Sequence, residues 1–451
     1  MKRFKTGVAR WLVLCTTVAA VALFAGCESD DDDDDNQQPT YSMTADYSDD
    51  IANAWIQTAR QMVKNASMSP PRAARAYGYL GQVIYEGVVN GMPQHISLYG
   101  QINGMPQVPA TNPDLEYHWP SVVNKGSLDI LMYLFSDATP EVQALATAQF
   151  DAMHAEYEQI LSTEVLQRSE AYGQLVASII RVCADQDGYA TNHNCAYTPP
   201  VGEGLWEPTP PAFAPNPLEP CWGQQRPFVL DDAGVQCFPD APPAYSTDPS
   251  SQFYTEMMEV YNIVQAADPE QLAIARFWAD GGGTSTPPGH WLNVVNIILN
   301  SENANLAEAA EIYCKVGIAV NDAFISCWRS KYLMNYLRPV TAIRDLVAGA
   351  ENWLPPITTP PFPECTSGHS TQSGAVYVVL EDFFGTVSFT DTTANAQYPA
   401  RTFDSFEDAA WEAAYSRIYG GIHFRFACEE GVTQGECIGQ AVLALNFRAN
   451  S

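Results

Sequence analysis

Positive charge is scarce in this chain: Lys and Arg number 22 against 52 Asp and Glu in 451 residues, a formal net charge of -30. That imbalance excludes nucleic acid and anionic membrane surfaces as partners, because both repel it. Charge of either sign is sparse, at 16%, whereas 46% of the residues are hydrophobic, enough for one large core or two modest ones. Alternating strand-like runs are few, C-x-x-C is missing, and no fixed-period repeat occurs. These absences set aside a β-rich fold, a cysteine metal knuckle and a repeat array. Beyond residue 26 no apolar run is long enough to span a bilayer.

The first 26 residues read as an export signal rather than as part of the fold. Lys2, Arg3, Lys5 and Arg10 precede an apolar run from Trp11 to Phe24, and Ala25-Gly26 lead into Cys27. The pattern resembles a bacterial lipoprotein signal, with Cys27 as the lipidated residue and the sole link to a membrane. Asp30 to Asp35 follow, a block that repels itself and buries nothing, so residues 27–43 are expected to form an extended tether. The body of the protein, residues 44–451, is thus expected in the periplasm or on the cell surface. Eleven cysteines fit such an oxidising compartment. Cys183/Cys195, Cys221/Cys237 and Cys428/Cys437 are the close pairs, and setting Cys15 and Cys27 aside leaves an odd number, hence at least one free thiol.

Helical periodicity dominates the body. Ile51, Ala54, Trp55, Ala59 and Met62 recur at three and four, and Pro70-Pro71 open a second helical stretch. Further helices are predicted near 122–136, 140–160 and 163–184, and again from Phe253 almost to the end. The expected class is all-α, a helical bundle. Residues 196–251 interrupt it with crowded prolines and aromatics. This excursion is expected to pack across the helices through Trp206, Phe213, Trp222 and Phe228.

Three stretches within residues 252–447 carry chemistry. In the first, Lys331 and Arg338 are seven apart, nearly one face of a helix, and Pro339 ends or kinks that helix. Two cations on a buried face clamp an anion; on an exposed face they are merely solvated. In the second, Ser367-Gly368-His369 opens an apolar helix, whose first N–H groups and positive end suit an oxyanion. Gly368 admits close backbone approach, Ser367 adds a hydroxyl, and His369 is placed to move a proton. In the third, Arg417 and His423 would lie about 240° apart on a continuous helix, but Gly420-Gly421 ends it and lets both converge.

Together these form K-x6-RP, then TSGH, then SR-x5-H. The set resembles the spaced signature of the vanadium-dependent haloperoxidases and the phosphatidic-acid-phosphatase type 2 superfamily. Thr366 stands where that pattern has proline, and Ala427 where an aspartate often steadies the last histidine; Glu429 or another group is expected to replace it. The resemblance implies a helical fold and bound vanadate. His423 would ligate vanadium, and Lys331, Arg338, Ser367, Gly368 and Arg417 would hold its oxygens. His369, Lys331 and His423 would be the catalytic groups, with His369 the acid–base. Trp328 and Phe362 fall on the halide side, and Asp280 is expected to pair with a cage arginine. Hydrogen peroxide, halide and a small organic acceptor are the implied partners.

Two other readings differ in class. A soluble acid phosphatase of the same superfamily would use His423 as phosphoryl-accepting nucleophile. A non-catalytic surface lipoprotein would bind a partner through the proline-rich excursion. His95, His118, His154 and His193 have no readable partner, and His290 is a candidate for the entrance of the site.

Overall fold

The computed structural model describes residues 41–231, 236–394 and 398–449. The expected signal, and all of the expected tether but residues 41–43, lie outside the described residues. The helices start where the sequence marks them. Proline is the first residue of α2 (Pro70–Val88), α4 (Pro140–Ile160), α8 (Pro269–Phe277) and α11 (Pro339–Leu346), where its missing N–H costs nothing. Serine hydroxyls cap α5 (Thr163–Asp185), α7 (Gln252–Ala266), α12 (Gly368–Phe384) and α13 (Phe406–Tyr419). Asn305 and Glu308 form a reciprocal capping box on α10 (Leu306–Met334). Completing the set are α1 (Asp50–Asn65), α3 (Trp119–Leu134), the short α6 (Tyr189–Asn192), α9 (Thr286–Glu302) and α14 (Arg425–Leu443).

The architecture is all-α, as expected. Its only named strands among the described residues are β1 (Phe389–Asp391) and β2 (Arg401–Phe403), an antiparallel pair with Phe389 opposite Phe403. No described helix is long and apolar enough to cross a membrane. Helix α10 is buried along nearly its whole length, the mark of a helix at the centre of a core. Helices α2, α12 and α14 all pack against it. The closest approach is between α12 and α14, where a Cβ on Gly435 or Gly374 would collide with the carbonyl oxygens of Thr371 and Val432.

The excursion lies on the helices rather than hanging free. Trp206, Trp222 and Phe228 are buried, whereas Phe213, expected to pack, is 55% exposed, in left-handed backbone with φ +46°. Asp322, fully buried on α10, accepts N–H bonds from Phe228 (2.7 Å), Val229 (2.8 Å) and Leu230 (3.2 Å). Two disulfides fix the segment, and neither joins the expected pair. Cys195 bonds Cys221, and Cys237 bonds Cys437 on α14, 200 residues away. Proximity along the chain misleads here because the excursion folds back on itself and then crosses α14. Cys183, Cys314, Cys327, Cys365 and Cys428 are unpaired and buried.

Candidate active site

The three chemistry-bearing stretches meet, but not in the way a single helix face would join them. Helix α10 stops at Met334, and Asn335 turns left-handed (φ +48°). Arg338 is therefore in extended backbone (φ -84°, ψ 153°) before Pro339. Lys331 and Arg338 thus do not share one helix, which corrects the one-face reading. Gly420 and Gly421 (φ +71°) end α13 as expected, and His423 emerges from the turn before α14.

The tautomer of His423 follows from its neighbours. Arg338 Nη1 stands 3.1 Å from His423 Nε2, and a guanidinium only donates. Nε2 therefore presents its lone pair, and the ring proton sits on Nδ1. Glu364 Oε1 takes that proton's hydrogen bond at 2.8 Å and a second from the Phe424 N–H at 2.9 Å. Glu364 is the carboxylate that Ala427 does not supply. Glu429, the expected substitute, is engaged by Arg425 at 3.0 Å and does not reach His423. Burial, and then the charge of Arg338, hold His423 well below the ordinary histidine range, so its ring is neutral. Burial raises the Glu364 carboxyl, and Arg338 and Lys331 oppose that rise.

Around this histidine the cations are buried and mostly satisfied by backbone. Lys331 Nζ donates to the carbonyls of Pro363 (3.2 Å), Glu364 (2.8 Å) and Thr366, using all three of its protons. It supplies charge rather than a free donor, and burial pushes its ammonium down to about 8. Arg338 donates to Phe362 O and Ile422 O, both at 2.9 Å, and its Nη2 is buried without a partner. Arg417 is held by Trp278 O (2.7 Å) and Ala275 O (3.2 Å). Ser367 caps α12, and His369 Nε2 in its first turn is also buried and unpartnered. Burial, Arg417 and then His290 depress His369 well below its usual range, so it too is neutral.

A cavity of about 750 Å³ opens onto His423, His369, Gly368 and Arg417, with Trp328 and Phe362 in its wall. Those two rings pack at 4.9 Å, and Phe362 lies beneath the Arg338 guanidinium at 4.9 Å. Lys331, Arg338 and Ser367 stand behind the cavity surface rather than on it. Among the described residues no three His, Cys, Asp or Glu side chains are placed to chelate a metal cation. What is gathered is two neutral histidines, three cations and the first turn of a helix, the donor set of an oxyanion cage.

Sequence reasoning missed a second buried cluster beside this cage. His290 does not line an entrance: it is fully buried, its Nδ1 2.9 Å from Asp280 Oδ2 and its Nε2 2.7 Å from Asp391 Oδ2. Asp280 thus pairs with His290 and not with a cage arginine, whose N–H groups go to carbonyls. The ring stacks on Trp278 at 4.5 Å and 17°, and the Trp278 carbonyl holds Arg417. Two carboxylates outweigh desolvation and push His290 up to about 10, so it is an imidazolium. Thr286-Pro287-Pro288-Gly289-His290 opens α9, but nothing local in that run points to carboxylates ten residues before and a hundred after. His95, His154 and His193 likewise have carboxylate partners, Glu311, Glu170 and Glu219.

Comparison with known proteins follows the same line. A family model described as the second helical-bundle domain of vanadium chloroperoxidase (VCPO) matches residues 311–450. The crystal structure of a bacterial vanadium-dependent iodoperoxidase is 35% identical, covering 90% of this chain and 98% of that one, with a TM-score of 0.82. The chain belongs to the vanadium-dependent haloperoxidase family. A curated relative within it, the vanadium chloroperoxidase of Curvularia inaequalis, is 26% identical over 35% of this chain. The match spans about a third of that relative's length, 36%. A holo-type bacterial vanadium-dependent chloroperoxidase shares the fold at 15% identity, covering 84% of this chain and 94% of that one, with a TM-score of 0.63.

Proposed function

We propose that this chain is a vanadium-dependent haloperoxidase that uses hydrogen peroxide to oxidise halide to hypohalous acid, with iodide as its preferred halide. The balance is one halide, one peroxide and one proton giving hypohalous acid and water. One observation carries the reading: His423 aims a lone pair from Nε2 into a cage of buried cations, with its proton locked on Nδ1 by Glu364. Vanadate fits that donor set. His423 Nε2 would ligate it in place of its Arg338 contact, and Arg417 and the Gly368 N–H would take its oxygens from the cavity wall. Arg338, through its unpartnered Nη2, and the Ser367 hydroxyl would reach them from just behind that wall, with Lys331 adding charge. Bound there, it supplies a Lewis acid for peroxide without changing oxidation state.

The chain's own residues do the rest. Neutral His369, unpartnered at Nε2, takes a proton from the incoming peroxide and returns it to the departing oxygen. Glu364 keeps the His423 ring in one tautomer and one orientation. Trp328 and Phe362 give the halide an aromatic wall, which suits the large, weakly hydrated iodide better than chloride because it repays little lost hydration. The relative matched along almost the whole chain, a bacterial vanadium-dependent iodoperoxidase, supports the same choice. The enzyme is read as exported and tethered through Cys27. Its two disulfides favour that oxidising location.

The test is the purified protein with and without orthovanadate, assayed with peroxide plus iodide, bromide or chloride, and separately on phosphate esters. Halogenation that depends on vanadate, with iodide first, is the expected result, and His423→Ala abolishes it while the fold persists. Ester hydrolysis inhibited by vanadate, with no halogenation, would overturn the reading in favour of a phosphatase.

A further inference from the structure

The segment from Asp280 to Ser285 forms a strap over the active-site cavity. Its three glycines, 281 to 283, stand clear of packing: a Cβ on any of them would meet nothing within 4 Å. Behind the strap lies a second cavity of about 440 Å³, and Arg276, Asp280, the glycines and Tyr398 border both cavities. The second cavity is lined by Arg60, Lys64 and Arg276, and none of the three is in an ion pair among the described residues. Its one carboxylate, Asp280, is already taken by His290.

Arg60 is the fixed member of this group. It is held by Gly289 O at 2.8 Å, Asn293 Oδ1 at 2.6 Å and Gln57 Oε1, all neutral, and its Nη2 has only a long 3.4 Å contact to Ser285 Oγ. A partly buried guanidinium with no carboxylate in direct contact is costly: burial presses its pKa down, opposed only in part by Asp280 and Asp391 at longer range. Arg276 and Lys64 are exposed on the last turns of α8 and α1, free to move toward an incoming charge. A chain of net charge -30 repels halide at range. A local cluster of unpaired cations reverses that field within a Debye length, about 8–10 Å at moderate salt.

We propose that the cavity behind the strap is an anion-recruiting site that concentrates halide from solution at the mouth of the oxyanion cage, with Arg276 serving both cavities. This rests on the haloperoxidase reading. The walls are polar and cationic, from Gln57, Gln61 and Thr393 as well as the three bases, so they select for charge and not for an apolar acceptor. Peroxide, being neutral, gains nothing from them.

The test exploits that difference. In Arg276→Glu and Lys64→Glu, assayed as the full vanadate-loaded enzyme, KM for iodide should rise roughly tenfold on charge reversal and about threefold on replacement by Gln. In Lys64→Glu, which lies outside the active-site cavity, KM for peroxide and kcat at saturating iodide should stay within about twofold, and the dependence of iodide KM on added sulfate should flatten in both variants. Equal iodide KM in wild type and both variants would overturn the proposal while leaving the haloperoxidase reading intact. A readout without turnover separates the two further: vanadate-free crystals soaked in iodide should show anomalous iodine density between Arg60 Nη2 and Arg276. Iodine there sustains an anion site even if the protein oxidises no halide, and a cavity without it removes the proposal whatever the activity.

Discussion

Replacing His290 with Gln withdraws the positive charge from between Asp280 and Asp391 while keeping a polar side chain of similar reach. Both carboxylates then lack their counter-ion, and Asp391 is fully buried. Breaking a buried pair by removing one partner costs about 3–5 kcal/mol. The histidine's own displacement, from 6.5 to about 10, corresponds to roughly 5 kcal/mol at 1.36 kcal/mol per pH unit, an upper figure of the same order. With about 2.1 cal/mol/K of unfolding entropy per residue, a domain this long loses roughly 1 °C of Tm per kcal/mol, so the variant should melt about 3–6 °C lower near neutrality. The pH dependence identifies the cause. Because the folded pKa lies above the unfolded one, the imidazolium's contribution is complete below about 6.5 and is lost as pH rises through about 10. The Tm gap between wild type and His290→Gln, followed by circular dichroism, should therefore be wide at pH 7 and close toward pH 10. A gap that stays constant from pH 6 to 10 would refute the charged triad and leave His290 a packing residue.

Glu364→Gln should weaken vanadate binding roughly 10–100-fold, because the amide holds the His423 tautomer less firmly; titration of the vanadate-free protein measures it, and unchanged affinity would remove Glu364 from that role. Cys237→Ser should cost about 2–5 kcal/mol of stability by releasing a 200-residue loop, read from denaturant unfolding, and should expose the excursion to protease. Asp322→Ala strands three buried N–H groups on the same excursion, and amide exchange at Phe228, Val229 and Leu230 should accelerate at least tenfold.

Much of this fold was legible because its signals are local. Proline and serine starts, followed by apolar residues at three and four, mark helices within a few residues, and the starts of α2, α4 and α5 fall where they are predicted. The oxyanion cage was legible for a related reason: each of its three pieces is a short run whose spacing is preserved. The parts that depend on distant chain were not. Glu364 lies 59 residues before His423, and a carboxylate followed by Cys-Thr-Ser-Gly-His carries no mark of its partner. Lys331 and Arg338 sit at helical spacing, yet one left-handed asparagine between them redirects the chain. The His290 triad spans more than a hundred residues, and the disulfides ignore the nearest cysteines. Contacts of that range are set by how helices stack, which periodicity does not encode.

The unpaired cysteines bear on the proposed product, hypohalous acid, in a way of their own. Hypohalous acid attacks thiolate far faster than thiol, and exposure governs the rest. Cys365 and Cys428 lie close to the cage, but burial raises both well above the ordinary thiol range, as it raises Cys314 farther along α10. Under the proposed reaction, the oxidant would meet Cys365 and Cys428 as buried thiols, the less reactive form. How many turnovers such a catalyst survives would then be a matter of packing: under the proposed reaction, a substitution that loosens the seam between α12 and α14 should shorten its working life before it lowers its rate.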